Sequence, residues 1–366
     1  MKHRSLYLEW LVKNPKIKYD FRLSGISSFP FDLDLGNIDL GTNFSHGNPG
    51  ATKTFAKRYN VPSANIFLSS EGASGQNARI IRYLAEKYPE KKEAIVEYPI
   101  YEPLLRLVQE YFPRVKRFVR NEKSGYRFDT AQLRRMVSDS TGLLVITNPH
   151  APSGALSTKN DLKEIMAVAQ ENRFYVLCDE IYAEFDRKSV PHLFSIDSEW
   201  GIVTTSYTKA YGLGGLKLGV ALMNEELVDN LYEDVLNTVG NSPNIVQHVA
   251  MELFTKRKTL LEQHQKKWIG LKKGTEQWLK ENNLDYYPNK VGITYWIKTL
   301  KNDTYKWVTN HALPRYSVAP VPGTFFLFKN GYELMSSPMI RIGLGGFDPK
   351  QSILQESLDA LRIALF

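Results

Sequence analysis

The stretch LLVITNP, residues 143–149, is a short apolar run that ends at an Asn-Pro pair. Apolar runs of this length are typical of buried strands, and Asn-Pro marks a turn. Similar runs recur along the chain, and helical patterns separate several of them, as over residues 76–88. Strands that alternate with helices predict an α/β fold, with a mostly parallel central sheet and flanking helices. The predicted strands are 65–69, 94–97, 143–147, 174–178, 202–206 and 218–223.

The pattern changes beyond residue 255. An amphipathic helix over 256–280 is followed by shorter elements, which predict a second, smaller α+β domain. The predicted strands and closing helix of this region are 292–297, 324–328, 339–342 and 354–365. A chain of 366 residues is long enough for roughly two domains. We expect an N-terminal segment that joins the small domain, then a large domain and a small C-terminal domain, over residues 1–40, 41–254 and 255–366.

Composition excludes several classes of protein. Hydrophobic residues make up 43% and charged residues 23% of the chain, which is ordinary globular usage and not that of a disordered protein. The net charge is +8, but the cations are interspersed with carboxylates, as in EKYPEKKE at residues 86–93. No nucleic-acid-binding signature accompanies them, so we predict no nucleic-acid partner. We expect the positive charge to favour anionic small molecules.

The cysteine count and the apolar runs limit the possible disulfides, metal sites and cellular location of the protein. Cys178 is the single cysteine, so an internal disulfide and a cysteine-based metal cluster are excluded, and we assign no metal site. Glu9, Lys13 and Asn14 interrupt the apolar residues near the start, which makes a poor signal peptide. No apolar run approaches the ~20 residues that span a bilayer. We therefore expect a soluble cytoplasmic protein with no membrane partner.

Polar residues lie at the ends of successive predicted strands. The small-residue turn 72–74 follows the first strand, and Asn148 and Asp179 follow later ones. Ser206 ends another strand and is followed closely by Lys209. In open α/β sheets, ligands bind just outside the carboxyl ends of the strands. The sequence therefore predicts one ligand site to which all of these residues contribute.

The segment SYTKAYGLGGLKLG, residues 206–219, places a lysine between a strand end and a glycine-rich turn. Burial and neighbouring cations lower the pKa of a lysine, and the neutral amine attacks carbonyl groups to form a Schiff base. A solvent-exposed loop lysine is the ordinary alternative. A nicotinamide-binding turn is disfavoured, because Lys217 stands where the last glycine of Gly-x-Gly-x-x-Gly belongs.

Ordered motifs give the chain its resemblance to a known family. NPHAPSG at 148–154, DEIY at 179–182 and SYTK at 206–209 follow one another, and PGTFF at 322–326 precedes Arg341. In this order and spacing they resemble the class I/II pyridoxal-phosphate-dependent aminotransferases, of the aspartate aminotransferase fold (fold type I). The resemblance covers essentially the whole chain. It implies pyridoxal 5'-phosphate as the cofactor and a homodimer as the assembly.

The resemblance assigns roles to the residues that would act on the cofactor ring. Lys209 would hold the cofactor as a Schiff base and then move a proton as general acid and base. Asp179 would pair with the pyridine nitrogen and keep it protonated, so that the ring accepts electrons. Tyr182 and Asn148 would donate hydrogen bonds to the phenolic oxygen, with Asn148 also near the substrate. Tyr101 would stack on the face of the ring.

The resemblance also assigns the phosphate and substrate contacts. Ser206 and Lys217 would add to a phosphate cradle formed by backbone N–H groups at the start of a helix. The cradle residues are Gly72, Ala73 and Ser74. Lys217 replaces the Arg that is common in the family, so the fork geometry toward phosphate is lost. Arg341 would clamp the substrate α-carboxylate, and Gly25 would lie over the active site in contact with substrate.

These assignments predict an aminotransferase that moves an amino group from an L-amino acid to a 2-oxo acid by a ping-pong mechanism. Each residue taken alone also has a structural interpretation, such as a turn, a cap or a core side chain. A pyridoxal-phosphate-dependent lyase or decarboxylase on the same scaffold is the first alternative, because a fold does not decide the reaction. A regulatory protein with an aminotransferase-like domain is the second, and it is disfavoured because no helix-turn-helix pattern precedes residue 41.

Overall fold

The computed structural model describes residues 4–14, 16–27, 38–347 and 353–366. Its strands are β1 Tyr19–Asp20, β2 Ile66–Ser69, β3 Glu93–Tyr98, β4 Arg114–Val119, β5 Thr141–Thr147, β6 Tyr175–Asp179, β7 Gly201–Ser206, β8 Gly219–Leu222, β9 Asp285–Tyr287, β10 Thr294–Lys298, β11 Val318–Ala319, β12 Val321–Pro322 and β13 Met339–Gly343. Its α-helices are α1 Leu6–Lys13, α2 Pro49–Tyr59, α3 Gly72–Lys87, α4 Glu102–Tyr111, α5 Thr130–Met136, α6 Lys159–Asn172, α7 Glu225–Thr238, α8 Asn244–Glu281, α9 Thr304–Trp307, α10 Leu313–Tyr316 and α11 Ile353–Leu365.

The central sheet has seven strands in the order β2-β8-β7-β6-β5-β3-β4. Strands β3 to β7 run parallel to one another, whereas β8 is antiparallel to both β7 and β2. The predicted α/β fold with a mostly parallel sheet is therefore confirmed. Parallel strands direct their carboxyl ends to one edge, and the polar residues at 148, 179 and 206 follow β5, β6 and β7 at that edge.

Strand β4 is an element that the sequence did not reveal. It lies at the edge of the central sheet, next to β3, and its sequence is RVKRFV. Phe118 is its one fully buried side chain, while Arg114 and Val119 are exposed. An edge strand rich in cations lacks the apolar run by which the other strands were recognised.

A second, antiparallel sheet has the order β12-β13-β10-β9, and β1 pairs in parallel with β11. The strands predicted over 292–297 and 339–342 correspond to β10 and β13. The strand predicted over 324–328 is wrong, because Gly323–Phe326 forms a 3-10 turn. All four residues of this turn are buried, and Phe325 packs on Trp10 with the ring centres 5.4 Å apart. The apolar run reflects the burial of this turn, whose side chains pack against neighbours on several sides.

Helix α8 runs without a break across the domain boundary expected between residues 254 and 255. The division of the chain into an N-terminal segment, a large domain and a small domain stays a prediction. The buried apolar side chains of both sheets form one hydrophobic core. Within the ranges of the chain that the structure describes, no helix has the length and apolar character needed to cross a bilayer.

The segment from residue 19 to 27 runs alongside the end of β13. Gly343 N donates to Phe21 O at 2.7 Å, and Gly345 N donates to Leu23 O at 3.2 Å. Ser27 N returns a hydrogen bond to Gly345 O at 3.0 Å. Further along the segment, Ile26 N donates to Lys209 O at 2.8 Å. These backbone bonds hold the segment over the carboxyl edge of the central sheet.

We expect Gly345→Ala to destabilise the protein by about 1–3 kcal/mol through overpacking. A Cβ atom at residue 345 would lie 1.7 Å from Gly25 O, so the N-terminal segment would have to move. Gly346→Ala is the matched control, because Gly346 is exposed and a Cβ there would lie 3.6 Å from Asp20 O. Urea unfolding measures both variants. Equal stability of the two would contradict the proposed close packing of the segment.

Candidate active site

A cavity of about 510 Å³ opens at the carboxyl edge of the central sheet. Its wall contains most of the residues expected to form a site, contributed by loops after the parallel strands, by the start of α3 and by β13. The expected residues found in the wall are Gly72, Ala73, Ser74, Tyr101, Asp179, Tyr182, Ser206, Lys209, Lys217 and Arg341. Asn148 and Gly25 are not in the wall.

Lys209 lies in the loop that follows β7. Its Nζ donates to Ser24 Oγ at 3.2 Å, which brings the N-terminal segment into contact with the lysine. Burial lowers the pKa of the Lys209 amine; Tyr7 and Asp179 oppose this shift, and the cations Arg341 and Lys217 add to it. A larger fraction of neutral amine makes this lysine a nucleophile and a base.

Asp179, the last residue of β6, holds a carboxylate against the cavity. Its Oδ2 accepts from Asn77 Nδ2 at 3.0 Å, and its Oδ1 accepts from Ile181 N at 3.0 Å. Asn77 is held in turn, because Thr204 Oγ1 donates to its Oδ1 at 2.6 Å. Burial raises the pKa of Asp179 to about 6, and these hydrogen bonds oppose the rise. A cationic N–H group in the cavity would stabilise the ionised carboxylate.

Helix α3 begins at Gly72, at the rim of the same cavity. Gly72 has a φ of +68°, and its N–H donates to Lys217 O at 2.5 Å. The N–H groups of a first helical turn have no acceptor within the helix, so those of Ala73 and Ser74 are available to an anion. Ser206 is fully buried beside them and donates through Oγ to Thr208 Oγ1 at 2.7 Å. The arrangement suits a phosphate group.

Glu71 directly precedes this anion-binding turn, but its charge is compensated. Arg79 Nη2 and Nε donate to the two Glu71 oxygens at 2.8 and 2.9 Å. Arg79 also pairs with Asp234 on α7. The carboxylate of Glu71 is therefore neutralised by a bidentate partner on the next turns of α3, and it does not cancel the positive end of the helix.

Arg341 on β13 is 3% exposed and lines the cavity. Its Nη2 donates to Arg22 O, and its guanidinium lies 5.7 Å from the centre of the Phe326 ring. Its Nε is buried and has no hydrogen-bond partner among the described residues. A buried guanidinium N–H without an acceptor is a strong donor for a carboxylate ligand.

Two expected site residues lie beside the cavity instead of in its wall. Asn148 is fully buried; its Oδ1 accepts from Ser157 N at 3.0 Å and its Nδ2 donates to Pro191 O at 3.3 Å. Gly25 packs against the backbone of the lysine, since a Cβ there would lie 2.8 Å from Lys209 Cα. The Asn148 amide is therefore engaged beside the cavity wall and Gly25 packs on the lysine loop, and the ligand contacts expected of both stay predictions.

Other residues of the wall were missed at the level of sequence. Tyr7 reaches the cavity from α1, whose first turn is held by the buried carboxylate of Glu102: Tyr7 N donates to Glu102 Oε2 at 2.7 Å. His150 lines the wall, and Arg22 comes from the N-terminal segment. Asn77 supports the site from α3. His150 lies inside the motif at 148–154, but at a position for which the motif specifies no residue type. The others belong to no sequence motif.

A second buried carboxylate joins the loops that carry Tyr182 and Lys209. Glu184 accepts from Arg58 Nη2 at 2.9 Å and from Tyr211 Oη at 3.1 Å. Tyr59 Oη also donates to it, at 3.1 Å. Since Glu184 follows Tyr182 and Tyr211 follows Lys209 by two residues each, this cluster fixes the spacing of the two loops.

Comparison with known proteins identifies the family. Residues 41–352 match the family described as aminotransferase class I and II. Among the relatives, histidinol-phosphate aminotransferase 2 of Haemophilus influenzae strain 86-028NP is 26% identical over 263 residues, 69% of this chain and 67% of that protein. The aspartate aminotransferase of Pyrococcus abyssi is 24% identical over 308 residues, 80% of this chain and 78% of that protein. The chain therefore belongs to the class I and II aminotransferases, which are pyridoxal-phosphate-dependent.

Some sequence matches are shorter than these. A match to histidinol-phosphate aminotransferase 2 of another Haemophilus influenzae strain, 32% identical, covers 42% of this chain and 42% of that protein. Solved structures support the fold over its full length. A PLP-dependent aminotransferase from Streptococcus suis superposes with a TM-score of 0.82, 22% identity and coverage of 100% and 98% of the two chains. A Thermus thermophilus aspartate aminotransferase mutant superposes with a TM-score of 0.75 and 18% identity, over 88% of this chain and 87% of that chain.

The chemistry of the cavity fits the family's cofactor, pyridoxal phosphate. A phosphate would meet the first turn of α3 and Lys217, and a protonated ring nitrogen would meet the Asp179 carboxylate. The carbonyl group would meet the neutral amine of Lys209. Each of these protein groups lines one cavity, and burial raises the pKa of Asp179, whose carboxylate forms no ion pair closer than 4 Å among the described residues.

We expect the apoprotein to lose stability relative to Asp179→Asn as the pH rises from 3.8 to about 6. The folded carboxyl has the higher pKa, so the folded state binds more protons than the unfolded chain in this window, and deprotonation favours unfolding. At about 1.4 kcal/mol per pKa unit, the difference is on the order of 3 kcal/mol. Urea unfolding at several pH values measures it.

Asp285→Asn, on the exposed strand β9, is the matched control for a lost surface carboxylate. The Asp179 assignment is wrong if the wild type and Asp179→Asn show parallel pH profiles through this window.

Proposed function

We propose that this chain is a pyridoxal-phosphate-dependent aminotransferase that moves an amino group from an L-amino acid to a 2-oxo acid in two half-reactions. The observation that carries the proposal is the meeting of Lys209, Asp179, the start of α3 and Arg341 in one cavity. Each of these four features has a distinct chemical use, and the combination matches the family to which the chain belongs. The cofactor and substrate roles of the individual residues are part of this proposal.

When bound, the cofactor supplies an electron-withdrawing ring that makes the Cα proton of an amino acid acidic. Lys209 would hold the cofactor through its Nζ amine, and the same amine would accept the Cα proton of the substrate as a general base. Its lowered pKa suits this role, because it increases the fraction of neutral amine. The hydrogen bond to Ser24 Oγ aims the amine from the N-terminal side. Asp179 keeps its negative charge beside the ring nitrogen.

Arg341 orients the substrate in this scheme. Its unpartnered Nε and its fixed position, held by Arg22 O and the Phe326 ring, suit an α-carboxylate. A reaction that expels the α-carboxylate gains nothing from such a clamp, so decarboxylation is disfavoured. Tyr182 lies near Arg341, and burial raises the pKa of its hydroxyl, which stays protonated as a hydrogen-bond donor. We keep Asn148 as a proposed contact, supported by its position between the wall residues Thr147 and Pro149.

A homodimer is part of the same proposal. Leu40 and Val239 are 70% and 60% exposed, and Leu236 and Ile245 are also exposed. The two segments lie together, because Asn244 Nδ2 donates to Asp39 O at 2.5 Å. The exposed apolar side chains of these neighbouring segments, which we call the apolar patch, support association with a second copy of the chain. A cytoplasmic location also belongs to the proposal, and a single, fully buried cysteine is consistent with it.

We expect Lys209→Ala to lower the rate of the half-reaction with an amino acid by at least about 1000-fold, because it removes the general base. Stopped-flow absorbance of the cofactor measures the rate, and circular dichroism checks the fold. Borohydride reduction of the wild type, followed by peptide mapping, is expected to label Lys209. Lys163→Ala, exposed on α6, is the control. Full turnover of Lys209→Ala, or a label on another residue of intact protein, would refute the assignment.

We expect the double variant Leu40→Lys and Val239→Lys to weaken self-association by at least about tenfold, because two charges would be buried at the apolar patch. Sedimentation velocity over a range of concentrations measures the dissociation constant. Leu300→Lys is the matched control, since Leu300 is 80% exposed in a turn remote in sequence from the patch. An active wild-type monomer at all concentrations would contradict the dimer.

A further inference from the structure

One part of the cavity wall is apolar and aromatic. It is formed by side chains from α1, the N-terminal segment, α4 and the turn at Gly323–Phe326, and we call it the apolar wall: Tyr7, Leu11, Leu23, Leu104 and Phe326. The Tyr7 and Phe326 ring centres lie 6.0 Å apart, and Tyr7 meets Tyr101 edge to face at 5.8 Å. The wall borders the carboxylate clamp, because the Arg341 guanidinium lies 5.7 Å from the Phe326 ring centre.

The apolar wall is held in place by a buried ion pair. Glu102, 1% exposed, accepts from the backbone of Tyr7 at 2.7 Å and from Ser5 Oγ at 2.9 Å. Arg106 Nε donates to the same carboxylate at 3.0 Å. Glu102 begins α4, so it joins the start of α1 to the helix that carries Leu104. The position of Tyr7 in the cavity is therefore built into the fold.

Arg22 also lines the cavity, but each nitrogen of its guanidinium already donates a hydrogen bond. Its Nε and Nη2 both donate to Asp20, at 2.8 Å each. Its Nη1 donates to Asn14 O at 2.6 Å, and the side chain is 9% exposed. A bidentate partner neutralises the charge and takes the fork that would otherwise bind a second acidic group.

The remaining positive groups of the described wall are also committed. Lys209 and Lys217 serve the proposed cofactor, and Arg341 serves the α-carboxylate. His150 is saturated, with Ser153 Oγ at 2.7 Å from Nδ1 and Pro99 O at 3.0 Å from Nε2. Burial lowers the pKa of His150 well below its ordinary value, so the ring is neutral. Among the described wall residues, no cation is left for a substrate side chain.

We propose that the amino acid used by this site carries a large apolar side chain, aromatic or branched aliphatic, in place of a second acidic group. The inference rests on the proposed aminotransferase function and assigns its substrate class. A side chain that extends from an α-carboxylate on Arg341 meets Phe326 and Tyr7 and buries apolar surface there. A second carboxylate or a phosphate would be desolvated at the same wall without a counterion.

The first test compares non-reactive carboxylates on the holoenzyme. We expect 3-phenylpropanoate and 4-methylpentanoate to bind at least about tenfold more tightly than succinate. Succinate would bury an unpaired carboxylate at the apolar wall, and it lacks the apolar group that makes contact there. Isothermal titration calorimetry measures the dissociation constants without requiring turnover. Tighter binding of succinate would overturn the proposal, and it would indicate a cation supplied by a partner subunit.

The second test releases the engaged guanidinium. Asp20→Asn removes the charge that neutralises Arg22, so we expect succinate to bind at least about tenfold more tightly and 3-phenylpropanoate to be unaffected. Asp359→Asn, on the exposed part of α11, is the matched control. Tyr7→Ala is a second variant, expected to weaken 3-phenylpropanoate binding several-fold without affecting succinate. Unchanged selectivity in both folded variants would overturn the assignment of the apolar wall.

Cofactor absorbance during the half-reaction separates this inference from the proposed function. We expect phenylalanine or leucine to convert the cofactor faster than aspartate or glutamate. Faster conversion by the dicarboxylic amino acids would overturn the substrate class and leave the aminotransferase function intact. If no amino acid converts the cofactor while 3-phenylpropanoate still binds more tightly than succinate, the proposed function is wrong and the preference of the wall stands.

Discussion

The site depends on one buried carboxylate, that of Asp179 at the end of the central strand β6. Burial alone would neutralise it, and its pKa is raised to about 6 for this reason. Asn77 on α3 and the backbone N–H of Ile181 hold its two oxygens, and Thr204 on β7 holds Asn77. A strand, the neighbouring strand and a helix are therefore fixed around one charge. A cationic ring nitrogen in the cavity would complete its electrostatic balance.

The same principle, a buried carboxylate shared between elements, recurs around the cavity. Glu184 joins the loops after β6 and β7, and Glu102 joins α1 to α4. Buried ion pairs add little net stability, but removing one partner is costly, so they specify one arrangement. Here that arrangement places Lys209, Tyr182 and Tyr7 in a single wall. The geometry of the site is thus determined partly by carboxylates outside the cavity wall: Asp179 lies in the wall, whereas Glu184 and Glu102 lie behind it.

Much of the site was predictable because the family motifs lie at strand ends. Asp179 and Lys209 were identified from short segments, and parallel strands bring such ends together whatever the rest of the fold does. The partners of Asn148 were not predictable in this way: its amide is bonded to Ser157 and Pro191 beside the cavity, and its contact with a ligand stays a prediction. The strand predicted over 324–328 failed for a related reason: an apolar run reports burial, and burial on several sides suits a packed turn as well as a strand.

The amino-acid sequence by itself determined the α/β class, the order of the strands along the chain and the residues with reactive groups, because these depend on local periodicity and residue type. Only the tertiary structure decided which distant side chains meet them. Asn77 beside Asp179, Tyr7 beside the clamp and the hydrogen bond from Arg341 to Arg22 O follow no local pattern. The physical reason is that burial and charge neutralisation depend on every element packed around a group, and those elements come from positions far apart in the chain.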